Sequence, residues 1–417
     1  MIPLADARAA VLAACPPLDP RLVPLAEAVG CVTAEPVVAA EAVPSFANSA
    51  MDGFAVRAAD VAGASAGSPV RLRVVATVNA GAVADLAVGA GEAIRIMTGA
   101  PMPAGADAVV LVEASTPAGP DHVDLSLAVD VGASVRPAGG DVQPGDEVLP
   151  AGTVLRPAHL GVLASLGLAD ILVVPRPRVG VVSTGDELIP PGTPLGPGQI
   201  HDSNRPMLLA LVAELGAEPV DLGHVPDDEA ALERVLRGAA ASCDVIVSSG
   251  GVSMGDADVV KLVLGRIAEM VWMQIAIRPA KPFALGVLDG TPVLGLPGNP
   301  VSSLVSFELL ARPGLRHRAG RPDLDRPTVS AVADRAISRR SDGKVHLVRV
   351  TLVPAADGLH AVPVGAQGSH QLAASAGADG LAVLPDGDGV SAGDPVEIHL
   401  LTDAAVALPR ALAVGAS

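Results

Sequence analysis

The sequence predicts a multidomain protein of the α/β plus β class, and three observations predict it. Between about Arg178 and Leu310, short buried-type strands alternate with helical stretches, the pattern of a parallel sheet with crossover helices on both faces. From about Val70 to Val135 the chain runs in short β-like segments punctuated by glycine and proline. After Arg321-Pro322 it turns to β again for about 80 residues, as in a small C-terminal β-barrel or sandwich. At 417 residues, the chain has room for two to four domains.

Taken in order, residues 3–40 have apolar positions near helical spacing (Val11, Leu12, Leu22, Leu25) and are expected to be helical. The strands of the small β unit are expected at VRLRVVATV, EAIRIMTG and DAVVLVE. The stretch Gly145 to Val174 is mixed, with a helix from Pro157 to Leu166 stopped by Gly167. VGVVST opens the α/β part as a strand. Ser203 and Asn204 offer N-caps for a helix that has Pro206 in its first turn and stops at Gly216. PVDLGHV is a strand, Asp227 caps a helix through Leu236, DVIVSS is a strand, and DVVKLVLGRIA is a helix. FALGVL and TPVLGL form a hairpin over Asp289-Gly290, which suits a type I′ turn, and a last helix covers Val301 to Leu310. The C-terminal strands are PTVSAVA, VHLVRVTLV, HAVPV, GLAVLP and PVEIHLL.

Half of the residues are hydrophobic, but only 1% are aromatic, so the cores must be packed from small aliphatic side chains. The net charge of −17 argues against nucleic acid and against anionic lipid as partners. An anionic substrate would need a local cluster of cations or a metal ion. Cys15, Cys31 and Cys243 form no C-x-x-C pair, so neither a zinc site nor a disulfide framework is indicated. The N-terminus carries Asp6 and Arg8 where a signal peptide would be apolar, and no stretch is long enough to span a bilayer. A cytoplasmic protein is expected.

The chain has no Walker A motif and no G-x-G-x-x-G after a strand. Instead, SSGGVSMGDAD (Ser248 to Asp258) follows the strand DVIVSS, and ligands of open parallel sheets bind outside strand carboxyl ends. Gly250, Gly251 and Gly255 let backbone N–H groups approach an anion, and Ser248, Ser249 and Ser253 add hydroxyl donors. Asp256 and Asp258 would repel a phosphate unless Mg²⁺ lay between, and Mg²⁺ takes one or two carboxylates with phosphate oxygens and water. Alone, the segment equally describes a Gly-rich turn with a helix-capping aspartate. STGDEL places Asp186 and Glu187 at the same rim. IRPAKPF holds Arg278 and Lys281, each followed by a stiffening proline, as a fixed cationic pair for an anion. GLPGNPVS is a tight turn into a helix, and Asp52-Gly53, within SAMDGFAVR, reads as a structural turn.

Together, SAMDGFAVR, IRIMTGAP, STGDEL, SSGGVSMGDAD, the RPAKP loop and GLPGNPVS resemble, in order and spacing, the molybdopterin molybdenumtransferase family, which includes the C-terminal domain of gephyrin. The resemblance runs from about Pro3 to Leu401. It implies an elongated helical and mixed domain (1–43 and 137–174) with a small β domain (44–136) inserted into it. An α/β molybdopterin-binding domain (175–321) and a C-terminal β-barrel (322–405) follow. It implies transfer of molybdenum from molybdate into adenylylated molybdopterin, with Mg²⁺-assisted release of AMP. It also implies a homodimer whose cleft combines the α/β domain of one subunit with the inserted domain of the other, and, as partners, molybdopterin adenylyltransferase and recipient molybdoenzymes.

Carried over by motif, Asp52, Thr98, Asp141, Glu187, Asp258 and Lys281 would be catalytic. Glu187, Asp258 and either Asp227 or Asp228 would hold Mg²⁺. Ser249, Gly250, Gly251 and Ser253 would cradle the pterin phosphate or nucleotide, together with Pro297 of the GLPGNPVS turn. Arg278 and Lys281 would hold molybdate or phosphate, with Arg349 and Ser369 contributing from the barrel. The chain departs from the family pattern at Ala47 and Gly140, where acidic residues are usual, and at Arg278, where lysine is usual. Two other readings stay open. Against an adenylyltransferase on the same α/β domain stand SAMDG and the barrel. Against a non-catalytic scaffold stand Asp52, Glu187, Asp258 and Lys281.

Overall fold

The computed structural model describes residues 1–252 and 259–402, so Ser253 and Asp258 lie outside the described residues. The chain divides into two compact units. One is Val23–Val29 with Thr33–Ile171, and the other is Met1–Leu22, Gly30–Val32 and the chain from Leu172 onward.

In the first unit, a six-stranded sheet has the order Ala108–Leu111, Gly53–Val56, Glu92–Ile96, Val70–Val78, His122–Leu125, Ser115–Pro117. Val70–Val78 and Glu92–Ile96 run parallel, and the other pairs are antiparallel. Side chains alternate across the pleat, and both faces are covered. Phe54 and Val56 pack with Leu72 and Val110 on one side, and Ala55 packs with Ile94, Ile96 and Val109 on the other. Asp52-Gly53 is more than a turn, because Gly53 begins a buried strand. A Cβ on Gly53 would collide with the Val110 carbonyl oxygen, so only glycine lets these strands close. The mixed part of this unit joins distant segments. Val37–Val38 pairs with Glu147–Leu149, and the Thr33 hydroxyl donates to the Pro150 carbonyl at 2.8 Å.

The expected helix over 3–40 is much shorter, Leu4–Ala14. Pro16, Pro17 and Pro20 follow it directly and cannot continue a helix, and Arg21–Pro24 is extended. The helix expected at Pro157 spans Pro157–Ser165, with Gly167 at positive φ just beyond it.

In the second unit, the α/β sheet has the order Glu218–Val225, Arg178–Thr184, Val245–Ser249, Thr291–Leu296, Pro282–Leu288, Glu269–Gln274. The first four strands are parallel. The expected hairpin makes the other edge antiparallel, and Glu269–Gln274, a strand that was not expected, extends it. Asp289 and Gly290 both have positive φ, 50° and 86°, as the expected turn requires. Val179 and Val181 pack with Leu208, Val212, Phe307 and Leu310 on one face. Val182 and Ile246 pack with Leu232, Leu236, Val263 and Leu264 on the other. The final helical segment runs on from Pro300–Ser306 through a π turn at Phe307–Ala311 to Arg312–Arg318, beyond the expected end at Leu310.

The helix after Val225 is capped by Asp228, not Asp227. The Asp228 carboxylate accepts from the Ala231 N–H at 2.7 Å, and the helix is Glu229–Ala240. Ser203 occupies the N-cap position of Asn204–Glu214 without a side-chain cap bond; the neighbouring Asp202 accepts from the Arg205 N–H instead.

The C-terminal strands close on themselves in the ring Thr328–Ala333, Pro395–Leu400, Gly380–Leu384, Val345–Ala355, Gly358–Pro363, and the last strand returns to pair with the first. Val348, Val350, Ala361, Ala382 and Ile398 fill the barrel with the small aliphatic side chains that the composition demands.

Candidate active site

Two cavities in the second unit collect most of the expected site residues. The first, about 790 Å³, lies beyond the carboxyl ends of Arg178–Thr184 and Val245–Ser249, and its size suits a nucleotide-sized ligand. Ser249, Gly250, Gly251, Pro297, Glu187 and Asp227 line it. Gly250 and Gly251 have φ of 99° and 76°, which side-chain-bearing residues rarely adopt. The Gly250 N–H is already spent on the Leu296 carbonyl at 3.0 Å, so the cradle expected from both glycines falls to Gly251.

Sequence reasoning placed Asn204 as a cap, but its role is to brace this cavity. Its Nδ2 donates to the Gly298 carbonyl at 2.7 Å and to the Ser249 hydroxyl at 2.8 Å, tying the helix start to both ligand loops. The Asp202 carboxylate is buried against the Ser183 hydroxyl (2.6 Å) and Arg205 (3.1 Å), so it is already committed. The Glu187 carboxylate folds over Gly185 and has no hydrogen bond or ion pair among the described residues. Asp227 lines the cavity and Asp228 does not; Asp228 is the helix cap. Among the described residues, no three His, Cys, Asp or Glu side chains converge as a complete metal cage. Two acids, Glu187 and Asp227, on a nucleotide-sized cavity still match the sparse protein ligation that Mg²⁺ takes.

The second cavity, about 940 Å³, is cationic. Arg278 and Lys281 line it from the prolyl loop, and Arg340 and Lys344 line it from the barrel, with Ser302 and Ser369. The cavities share Pro282 and His370. The Ser369 carbonyl accepts from the Val301 N–H at 3.0 Å, which seats the loop that carries Ser369 and His370 on the helix after GLPGN.

Arg349 departs from its expected role. It is 1% exposed and does not line the cavity; its guanidinium donates to the carbonyls of Gln371 (2.7 Å), Ala366 (2.9 Å) and Gly368 (3.3 Å). It pins the loop that presents Ser369 and cannot itself hold an oxyanion. Lys344, His346 and His370 were not singled out from sequence. The parallel pairing of Ile277–Arg278 with Val345–His346 brings Lys344 and His346 to the site, and no local pattern announces it.

The remaining site residues belong to the first unit. The Asp52 carboxylate accepts from both the Thr98 N–H and the Thr98 hydroxyl at 2.7 Å, and these bonds hold its pKa below the usual carboxylate range. Val135–Arg136 pairs with Asn48–Ser49, and the Ala50 N–H donates to Ser134, so the strand leading to Asp141 runs beside the SAMDG segment. Asp52, Thr98 and Asp141 are all exposed.

An open α/β sheet with a Gly-Ser ligand loop, joined to a barrel across a cationic cavity, has the make-up of a multidomain enzyme for anionic ligands. Comparison with known proteins gives the family. Residues 2–167 match the MoeA N-terminal region (domain I and II), 180–317 a probable molybdopterin binding domain, and 332–401 the MoeA C-terminal region (domain IV). The chain is 42% identical over 401 residues to molybdopterin molybdenumtransferase 2 of Mycobacterium tuberculosis, covering 94% of this chain and 97% of that one. It is 38% identical over 409 residues to the molybdopterin molybdenumtransferase of Haemophilus influenzae, covering 96% and 100%. A solved molybdopterin biosynthesis MoeA protein from Pyrococcus horikoshii superposes with a TM-score of 0.78 at 33% identity, covering 96% of this chain and 99% of that one. The chain belongs to the molybdopterin molybdenumtransferase family, transferases of molybdenum cofactor biosynthesis.

Proposed function

We propose that this transferase takes molybdenum from molybdate into adenylylated molybdopterin and releases AMP with the help of Mg²⁺. The adjoining of the two cavities at Pro282 and His370 carries the reading: one is lined by Glu187, Asp227 and a Gly-Ser loop, the other by clustered cations. The first suits a pyrophosphate-linked pterin, and the second suits a tetrahedral oxyanion. Glu187 and Asp227 would hold Mg²⁺, joined by Asp258, and a bound Mg²⁺ would offset charge on the pyrophosphate oxygens. The Gly251 N–H and the Ser249 hydroxyl would orient the phosphates. Arg278, Lys281 and Ser369 would bind molybdate, and His370 stands where the two substrates meet. Cleavage of the pyrophosphate linkage would consume one water and give AMP and the molybdopterin phosphate. The two dithiolene thiols would bind molybdenum in place of one molybdate oxygen, which would leave with their protons as water, with no change of oxidation state.

The four-domain division set out above is proposed with it, supported by the pairing of Val37–Val38 with Glu147–Leu149 and by the closed barrel. A homodimer would bring the exposed Asp52–Thr98 pair and Asp141 of one subunit to the cleft of the other. A cytoplasmic location suits the pathway, and no helix among the described residues is long and apolar enough to cross a membrane. Molybdopterin adenylyltransferase and recipient molybdoenzymes would be transient partners.

The test is AMP release from adenylylated molybdopterin by the purified protein with Mg²⁺, with and without molybdate. Molybdate-dependent release with a product that activates a cofactor-free molybdoenzyme is expected. Binding without release under all conditions would overturn the reading.

A further inference from the structure

The barrel side of the cationic cavity is built around a residue with no assigned role, Asp342. Its carboxylate accepts from the Lys344 ammonium at 2.8 Å and from Arg339 Nη2 at 2.9 Å, and His346 Nε2 lies 3.2 Å away. Arg339 is the base of this assembly. Its side chain is only 3% exposed, and its Nη1 donates to the carbonyls of Lys344 (2.8 Å), Pro385 (2.9 Å) and Leu384 (3.1 Å). Its Nη2 also reaches Asp386 at 2.7 Å, so Arg339 has little left to offer an anion. Lys344 differs. An ammonium has three N–H donors, and Asp342 is its one hydrogen-bond partner among the described residues. The strand register sets Arg278 directly beside His346, which brings the prolyl loop and the barrel bank together on one cavity.

We propose that Asp342 is a positioning residue for the oxyanion: it holds Lys344 in place as a third cation beside Arg278 and Lys281. The proposal rests on reading this cavity as the molybdate site. The carboxyl of Asp342, held down at about 2 by Lys344 and His346, stays ionised and can only accept hydrogen bonds. It therefore does not bond an oxyanion itself; it orients the lysine that does. A lysine held in advance loses less rotamer freedom on binding than a free one.

The test uses the full-length protein, with molybdate titrated calorimetrically and steady-state kinetics at varied molybdate, for wild type, D342N, K344A and K344R. For D342N and K344A, the Kd and KM for molybdate are expected to rise about tenfold, as for loss of one charge-assisted hydrogen bond. At saturating molybdate kcat stays within about twofold, AMP binding is unchanged, and K344R recovers most of the affinity. K344A alters a partly exposed side chain, so it carries the test if D342N fails to fold. Unaltered molybdate affinity in K344A, or a fall in kcat at constant KM, overturns the proposal. If the wild type itself fails to bind molybdate, the reading of the cavity falls and this proposal with it. If the wild type binds and the variants match it, only the proposal falls.

Discussion

The two adjoining cavities are made from opposite materials. The one at the strand ends offers carboxylates, hydroxyls and the Gly251 backbone, and among the described residues no lysine or arginine lines it. The one against the barrel offers arginines and lysines around a single carboxylate, Asp342, already neutralised by its neighbours. In a chain of net charge −17, Arg278, Lys281, Arg340 and Lys344 make the local cationic cluster that an oxyanion would need against the overall field. The other cavity would meet an anion through backbone dipoles and through acids suited to a metal. The difference teaches that, on the proposed reading, the two anions would be held by different chemistry, so each cavity can be disabled separately.

The sharpest break is E187Q. The Glu187 carboxylate has no hydrogen bond or ion pair among the described residues, so the melting temperature should stay within experimental error. If it serves a metal or the reacting phosphate, kcat for AMP release should fall by about a hundredfold or more. A variant with normal turnover would remove the acidic side of the comparison. Next come R278A and K281A, which should raise the KM for molybdate by about tenfold each while leaving AMP binding intact. Equal weakening of both ligands would mean that the cavities are not separate sites.

Third is Arg349. It looks like a site residue in sequence and acts as a buried clamp in the structure. R349M leaves the carbonyls of Ala366, Gly368 and Gln371 without their donor, at a cost of about 3 kcal/mol in urea unfolding. Unchanged stability with lost molybdate binding would restore the direct role expected from the motif.

What was legible in the sequence was local. The barrel strands were readable because each is a short run rich in β-branched and aliphatic residues, broken by single polar ones, between turn residues, as in VHLVRVTLV and PVEIHLL. The Asp289-Gly290 hairpin was readable from its turn chemistry. Glu269–Gln274 was missed because it follows a helix after a single residue, Ala268, and its apolar run reads as more helix. The cleft acids and the prolyl cations were visible as motifs. Lys344 and His346 were not, because they reach the site through a two-residue parallel pairing between segments far apart in the chain. The burial that separates Arg349 from Arg278 is also a tertiary property, and no composition or spacing carries it.

The smallest expected effect separates two adjacent aspartates that the sequence could not rank. Asp228 caps the Glu229–Ala240 helix through the Ala231 N–H, whereas Asp227 lines the strand-end cavity. D228A should therefore cost about 1 kcal/mol of stability, the usual value of an N-cap, with kcat nearly unchanged. D227A should do the reverse, keeping the melting temperature and lowering turnover. D228N should recover the stability lost in D228A, because asparagine caps as well as aspartate does. A D228A variant that is stable but inactive would move the metal ligand one residue along the chain. The acidic cavity would then depend on a carboxylate that has turned away from its helix.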